Sequence, residues 1–170
     1  MLKQGWIGRF YEDFEVGDVY RHPFSRTITT YDNISFTLLT QNTSLIHLDH
    51  HYAAQTEFGR PLMDSTLTVA LVTGQSVIDV SQNALANLGW DEVRLPHPVF
   101  EGDTVYSQSE VVKKRESRSR PEVGIVTVRT TGFNQDSVVV VTFGRTVMVY
   151  KRGRGPVRGP EGPQGGIAEG

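Results

Sequence analysis

Apolar and polar positions follow two rhythms along the chain, helical in the first half and strand-like in the second. Val19 to Ile28 reads as an opening strand. Thr29 or Thr30 then offers an N-cap, with Asp32 or Asn33 in the first turn. Ile34, Phe36, Leu38 and Leu39 supply the apolar face of a helix that ends near Thr40. Asp49 followed by HHYAAQTEF predicts a second, short helix, broken by Gly59 and Pro61. After Pro61, Asp64 or Ser65 can cap a third helix in which Leu67, Ala70, Leu71, Gly74, Val77 and Ile78 recur at helical spacing. Val69 and Val72 make its other faces apolar too, so this helix is expected to be enclosed.

Three long strand-like segments come next: Thr104 to Lys114, Val123 to Phe133 and Val138 to Lys151. Asn134-Gln135-Asp136-Ser137 joins the last two as a hairpin turn. The run Val138–Val141 suits a strand covered on both faces. An antiparallel sheet wrapped around one buried helix accounts for both rhythms, and the class expected is α+β.

Composition changes this picture at one end. From Lys151 onward ten of twenty residues are Gly or Pro, so the expectation is a folded domain over 1–150 and a flexible tail over 151–170. Length fits one domain, at 170 residues. Lys+Arg 17 against Asp+Glu 19 leaves no basic field for nucleic acid or anionic lipid. No apolar run exceeds four residues, and cysteine is absent, which removes disulfides, thiolate nucleophiles and Cys-type metal sites. A cytoplasmic protein without membrane or nucleic-acid partners is the expectation.

Candidate chemistry gathers in TQNTSLIHLDHH, residues 40 to 51. His47 is either a proton shuttle or a histidine satisfied by nearby backbone. The spacing H-x-D-H-H over His47, Asp49, His50 and His51 matches no strong metal signature, so no metal is expected. The start of the third helix, Met63-Asp64-Ser65-Thr66, presents free N–H groups able to stabilise an oxyanion, or is simply capped. Five cations among Lys113, Lys114, Arg115, Arg118 and Arg120 form either a phosphate grip or a solvated hairpin end.

The stretch TQNTSLIHLDHHYAAQTEFGRPLMDSTLTVALVTG, with LPHPVFEGDTV further on, resembles the MaoC-like, (R)-specific enoyl-CoA hydratase (hydratase 2) family. GRFYEDFEVGDVY and NLGWDEVRLPHPVF look like its mesaconyl-CoA and itaconyl-CoA hydratase branch. The resemblance covers about Phe10 to Lys151 and implies the hot-dog fold, a long helix wrapped by an antiparallel sheet. It also implies hydration of a trans-2-enoyl-CoA to an (R)-3-hydroxyacyl-CoA, with the CoA thioester as substrate, no separate cofactor, and a homodimer.

The resemblance carries roles residue by residue. His47 falls on the catalytic histidine and Asn42 on the catalytic aspartate. Ser65 falls on the glycine whose N–H polarises the thioester, and Thr73 on a polar residue near the pair. Ser44 and Leu45 replace Asn-Pro, and Asp64 replaces the histidine before the glycine. Arg60, with His22, His50 and His51 behind it, is the candidate cation for a distal carboxylate. Asn42 cannot accept a water proton. That motivates one alternative, a non-catalytic acyl-CoA-binding protein; a second is a thioesterase on the same fold, for which Asp64 is the only nearby acid.

Overall fold

The computed structural model describes residues 5–157. Four antiparallel strands, β3 (Ala84–Arg94), β4 (Thr104–Glu116), β5 (Val123–Phe133) and β6 (Val139–Tyr150), carry most of the sheet. Its order is β1-β4-β5-β6-β3, where β1 is Val19–Arg21, and the short β2 (Arg26–Thr27) also pairs with β4. The opening strand expected over 19–28 is thus split in two. Pro23, which has no N–H to donate, stands at the break.

β5 spans the residues the alternation predicts. β3 was not expected, and its chemistry explains why. It is an edge strand with repeated register shifts, interrupted by Gly89 and carrying Asp91 and Glu92, so it shows no clean two-residue period. Val140 and Val141 are both fully buried, so neighbouring residues on opposite faces of β6 are covered as expected.

The first helix, α1 (Thr30–Leu39), starts at Thr29 in a capping box with Asp32. Its inward side is not the apolar face the spacing predicts. Asn33 and Thr37 are buried, whereas Leu38 and Leu39 are 62% and 79% exposed. The reason is the Asn33 amide, which bonds to three backbone groups described below and turns the helix polar side inward. The second helix, α2 (His50–Ala53), is one turn long and is capped by the Asp49 carboxylate.

The long helix α3 (Ser65–Ser76) continues as a π-helical turn over Val77–Ser81. Val72 presses so closely on β5 that a Cβ at Gly132 would lie 2.6 Å from its Cγ2. One core cluster gathers Val72 with Ile28, Met63, Val105, Val140 and Phe143; a second gathers Tyr11, Phe14, Val111, Val128 and Val147. The enclosure expected of α3 is incomplete in the single chain. Ala70 and Gly74 are exposed and, with Phe24, Arg26, Leu67 and Leu71, line an open hollow of about 480 Å³.

Most of the tail expected over 151–170 lies outside the described residues. Its first residues are tied to the body: Lys151 N–H donates to the Glu122 carbonyl at 2.9 Å, and Arg152 N–H to the Glu12 carboxylate at 3.0 Å.

Candidate active site

Two segments far apart in sequence are zipped together where α3 begins. α1 closes when the Thr40 hydroxyl donates to the Phe36 and Thr37 carbonyls, and Gln41 then adopts φ +58°, reversing the chain. The Asn42 carboxamide oxygen accepts the Ser44 N–H at 3.0 Å, an Asx turn that launches the 3-10 turn Leu45–His47. On the other side, Leu62 N–H donates to the Ile46 carbonyl and Met63 N–H to the Val99 carbonyl. Asn33 is the staple. Its Nδ2 donates to the His47 and Leu62 carbonyls at 3.0 and 2.9 Å, and its Oδ1 accepts the Asp64 N–H at 2.9 Å.

His47 is half-buried at the end of the 3-10 turn, with Nδ1 2.9 Å from the Leu62 carbonyl oxygen. A carbonyl only accepts, so the proton is assigned to Nδ1 and the lone pair to Nε2. The backbone thus satisfies one ring nitrogen, as one of the two sequence readings expects. Asn42 Nδ2 donates to Asp64 Oδ2 at 2.7 Å, while Asp64 Oδ1 caps α3 by accepting the Thr66 N–H at 2.7 Å. Asp64 is buried, at 2% exposure. Burial alone would raise its pKa. Hydrogen bonds from the Thr66 hydroxyl, the Asn42 amide and the Thr66 N–H, with the charge of His47, outweigh that effect and hold the carboxyl below its ordinary value. It is ionised at neutral pH and weak as a base.

Ser65 is the first residue of α3, and its N–H finds no acceptor among the described residues. The positive end of the helix dipole points the same way. A cleft of about 260 Å³ is lined by Thr30, Asn33, His47, His50, Arg60, Pro61, Met63 and Glu101; Asn42, Asp64 and Ser65 are not in its wall. The Arg60 guanidinium lies over the Phe100 ring, 3.9 Å from its centroid.

Other residues singled out in the sequence lie elsewhere. Thr73 is two helical turns beyond Ser65, about 12 Å along the axis, and its hydroxyl is buried without a partner. Ser44 is exposed beside Asn42 and uses its N–H in the Asx turn. Lys113, Lys114 and Arg115 sit at the end of β4 remote from the cleft, roughly 35 Å along the strand from Thr104. Arg118 and Arg120 lie in the following turn, and Lys114 Nζ is spent on the Phe14 carbonyl at 2.7 Å. Within one chain these five cations are not brought to the cleft. His22 is not there either. Its ring is enclosed between Asp79 (2.9 Å) and Ser109 (2.8 Å). Among the described residues no three His, Cys, Asp or Glu side chains cluster as a metal site, and Asp49 is committed to its helix cap.

Sequence reasoning missed Asn33 and Glu101. In the sequence Asn33 is a first-turn residue, and nothing in its neighbours marks it as buried. Glu101 stands in FEGD, which directs attention to the strand that follows.

The model of the family described as mesaconyl-CoA hydratase matches residues 4–166. A mesaconyl-CoA hydratase of Cereibacter sphaeroides is 35% identical over 85% of this chain and 42% of its own length. A beta-methylmalyl-CoA dehydratase of Chloroflexus aurantiacus is 36% identical over 85% of this chain and 41% of its own. The crystal structure of a MaoC domain protein dehydratase from Chloroflexus aurantiacus superposes with a TM-score of 0.85 at 33% identity, covering 95% of this chain and 47% of that one. The chain thus spans about two fifths of the length of the curated relatives it matches.

Proposed function

Because the chain belongs to the mesaconyl-CoA hydratase family and has the hot-dog fold, we propose that it adds water reversibly across the double bond of a trans-2-enoyl-CoA, giving an (R)-3-hydroxyacyl-CoA. The observation that carries this reading is the 2.9 Å contact of His47 Nδ1 with the Leu62 carbonyl oxygen. With Nδ1 committed to the Leu62 carbonyl, Nε2 is the nitrogen left to take a proton from water.

The steps follow from the groups present. A water gives its proton to His47 Nε2 while its oxygen bonds to Cβ. The double-bond electrons move onto the thioester oxygen, where the Ser65 N–H and the start of α3 stabilise the enolate. The imidazolium then returns the proton to Cα. Asn42 helps to hold the water, and its amide is oriented by Asp64. Asp64, ionised and acting on His47 through its charge, stabilises the imidazolium between the two proton transfers. No cofactor is called for, because the CoA thioester is the substrate.

Two of the relatives are named for acyl-CoA substrates with a second carboxylate, and this supports mesaconyl-CoA or itaconyl-CoA as the class to try first. A cytoplasmic homodimer completes the reading. The exposed flank of α3 and the outward Leu38 and Leu39 support a second copy as the cover, and sedimentation is expected to return twice the chain mass.

His47→Ala tests the mechanism. Losing one general acid–base group costs about 10²–10⁴ in rate, and hydration is expected to fall by that much while binding of a saturated acyl-CoA persists. An unchanged rate would remove His47 from the reaction. A wild type that binds acyl-CoA with no turnover to lose would favour the non-catalytic alternative, which the engaged Asn42 amide also suits.

A further inference from the structure

We infer that Glu101 is a second catalytic residue, whose carboxylate holds the attacking water together with His47. The inference rests on the hydration reading and supplies the negative group that Asn42 does not.

Eight residues line the cleft that contains His47, and Glu101 is the one carboxylate among them. Asp64 lies outside this wall and is committed to the Asn42 amide and the first turn of α3. The Glu101 side chain makes no ion pair and accepts no hydrogen bond among the described residues, whereas Glu92, Glu116 and Glu122 each meet a cation. It is exposed, so water reaches it. An acid with no structural partner, in a wall shared with His47 and His50, is placed for chemistry and not for packing.

Backbone bonds fix this placement. Glu101 is the second residue of a turn in which the Asp103 N–H donates to the Phe100 carbonyl at 3.2 Å and Gly102 supplies φ +90°. The Asp103 carboxylate accepts the Phe100 N–H at 2.9 Å, and Ile28 both donates to the Asp103 carbonyl and accepts the Gly102 N–H. Just before the turn the Val99 carbonyl accepts the Met63 N–H, and the adjoining Leu62 N–H donates to the Ile46 carbonyl beside His47. Two backbone bonds thus tie the turn carrying Glu101 to the turn carrying His47. The attacking water has two protons, and each needs an acceptor. One passes to His47 Nε2 as the oxygen bonds to Cβ. The other stays on that oxygen, donates to Glu101 and remains in the product hydroxyl. The carboxylate so aims the water and offsets the charge His47 carries until its proton reaches Cα.

The test is a double-mutant cycle on the full chain, with kcat and KM measured separately on crotonyl-, mesaconyl- and itaconyl-CoA. Glu101→Gln keeps the shape and removes the charge; it should lower kcat by about 10–100-fold with little change in KM. Glu101→Asp should keep part of the activity. In a His47→Ala background Glu101→Gln should cost less than about threefold more, because the two groups act on one water. A kcat for Glu101→Gln within about twofold of wild type overturns the inference. So does an equal fall in both backgrounds, which a purely structural role produces, and so does a rise in KM alone, which assigns Glu101 to binding. Each of those results leaves hydration by wild type standing. A wild type without turnover on all three substrates removes the hydration reading and the role of Glu101 with it.

Discussion

Asn42 and Asp64 face each other at 2.7 Å with amide and carboxylate in a definite order. The hydratase 2 motif places its carboxylate at position 42; here an ionised carboxylate stands across the contact, at 64. Asn42→Asp would set two carboxylates against each other, and like charges at that separation force one of them to hold a proton. Hydration by Asn42→Asp is therefore predicted to fall about tenfold or more at neutral pH. The transposed double variant Asn42→Asp with Asp64→Asn, which restores one amide and one carboxylate and keeps a helix-capping residue at 64, should recover much of the loss. Steady-state rates and melting temperatures of the three proteins check this, and an Asn42→Asp enzyme faster than wild type would contradict it. At this scale His47, Asn42, Asp64 and Ser65 were legible because they fall in a motif of fixed spacing. The Leu62 carbonyl and the Asn33 amide, which set the tautomer and the orientation, were not. A backbone acceptor has no sequence signature, and a buried asparagine on an apolar-looking helix reads as surface.

Elements are held in place by a second polar centre away from the cleft. His22, just past β1, bonds through Nδ1 to Asp79 on the π-helical turn and through Nε2 to Ser109 on β4, which in turn meets Thr130 on β5 at 2.8 Å. Arg9 reaches Asp79 at 2.6 Å and stacks over Tyr20. Burial lowers the His22 pKa; the hydrogen bond and charge of Asp79 work in the opposite direction without cancelling it, and Arg9 lowers it further. The folded protein thus favours neutral His22. Its stability is complete above the ordinary histidine value of about 6.5 and declines as pH falls below that value, where the unfolded chain binds the extra proton. Melting temperatures measured from about pH 7.5 to about 5.5 should drop more steeply for wild type than for His22→Gln. Parallel slopes would assign the acid sensitivity to other groups. None of this network was legible, because it joins five segments that meet only once the sheet has formed. The long strands rich in Val and Thr, β4, β5 and β6, were legible, and the irregular edge strand β3 was not.

For the whole molecule, an apolar helix all round predicted complete enclosure, and the single chain leaves one flank of α3 open. The periodicity identified the helix, but complete enclosure is not what the single chain shows, because spacing does not say which flanks the sheet reaches. The same limit applies to the basic cluster from Lys113 to Arg120, whose distance from His47 follows from the length and direction of β4 and not from spacing. Fold class and the position of the cleft histidine, His47, were available from pattern and motif. The way α1 turns its polar side inward, and with it the shape of the cleft, was not.

The most direct measurement is the ultraviolet absorbance of the enoyl-thioester in mesaconyl-, itaconyl- and crotonyl-CoA incubated with the purified chain, with products identified by mass. The account predicts loss of absorbance together with a gain of one water, fastest on a dicarboxylic substrate. Unchanged absorbance with all three, under conditions where the chain binds acyl-CoA, would contradict it.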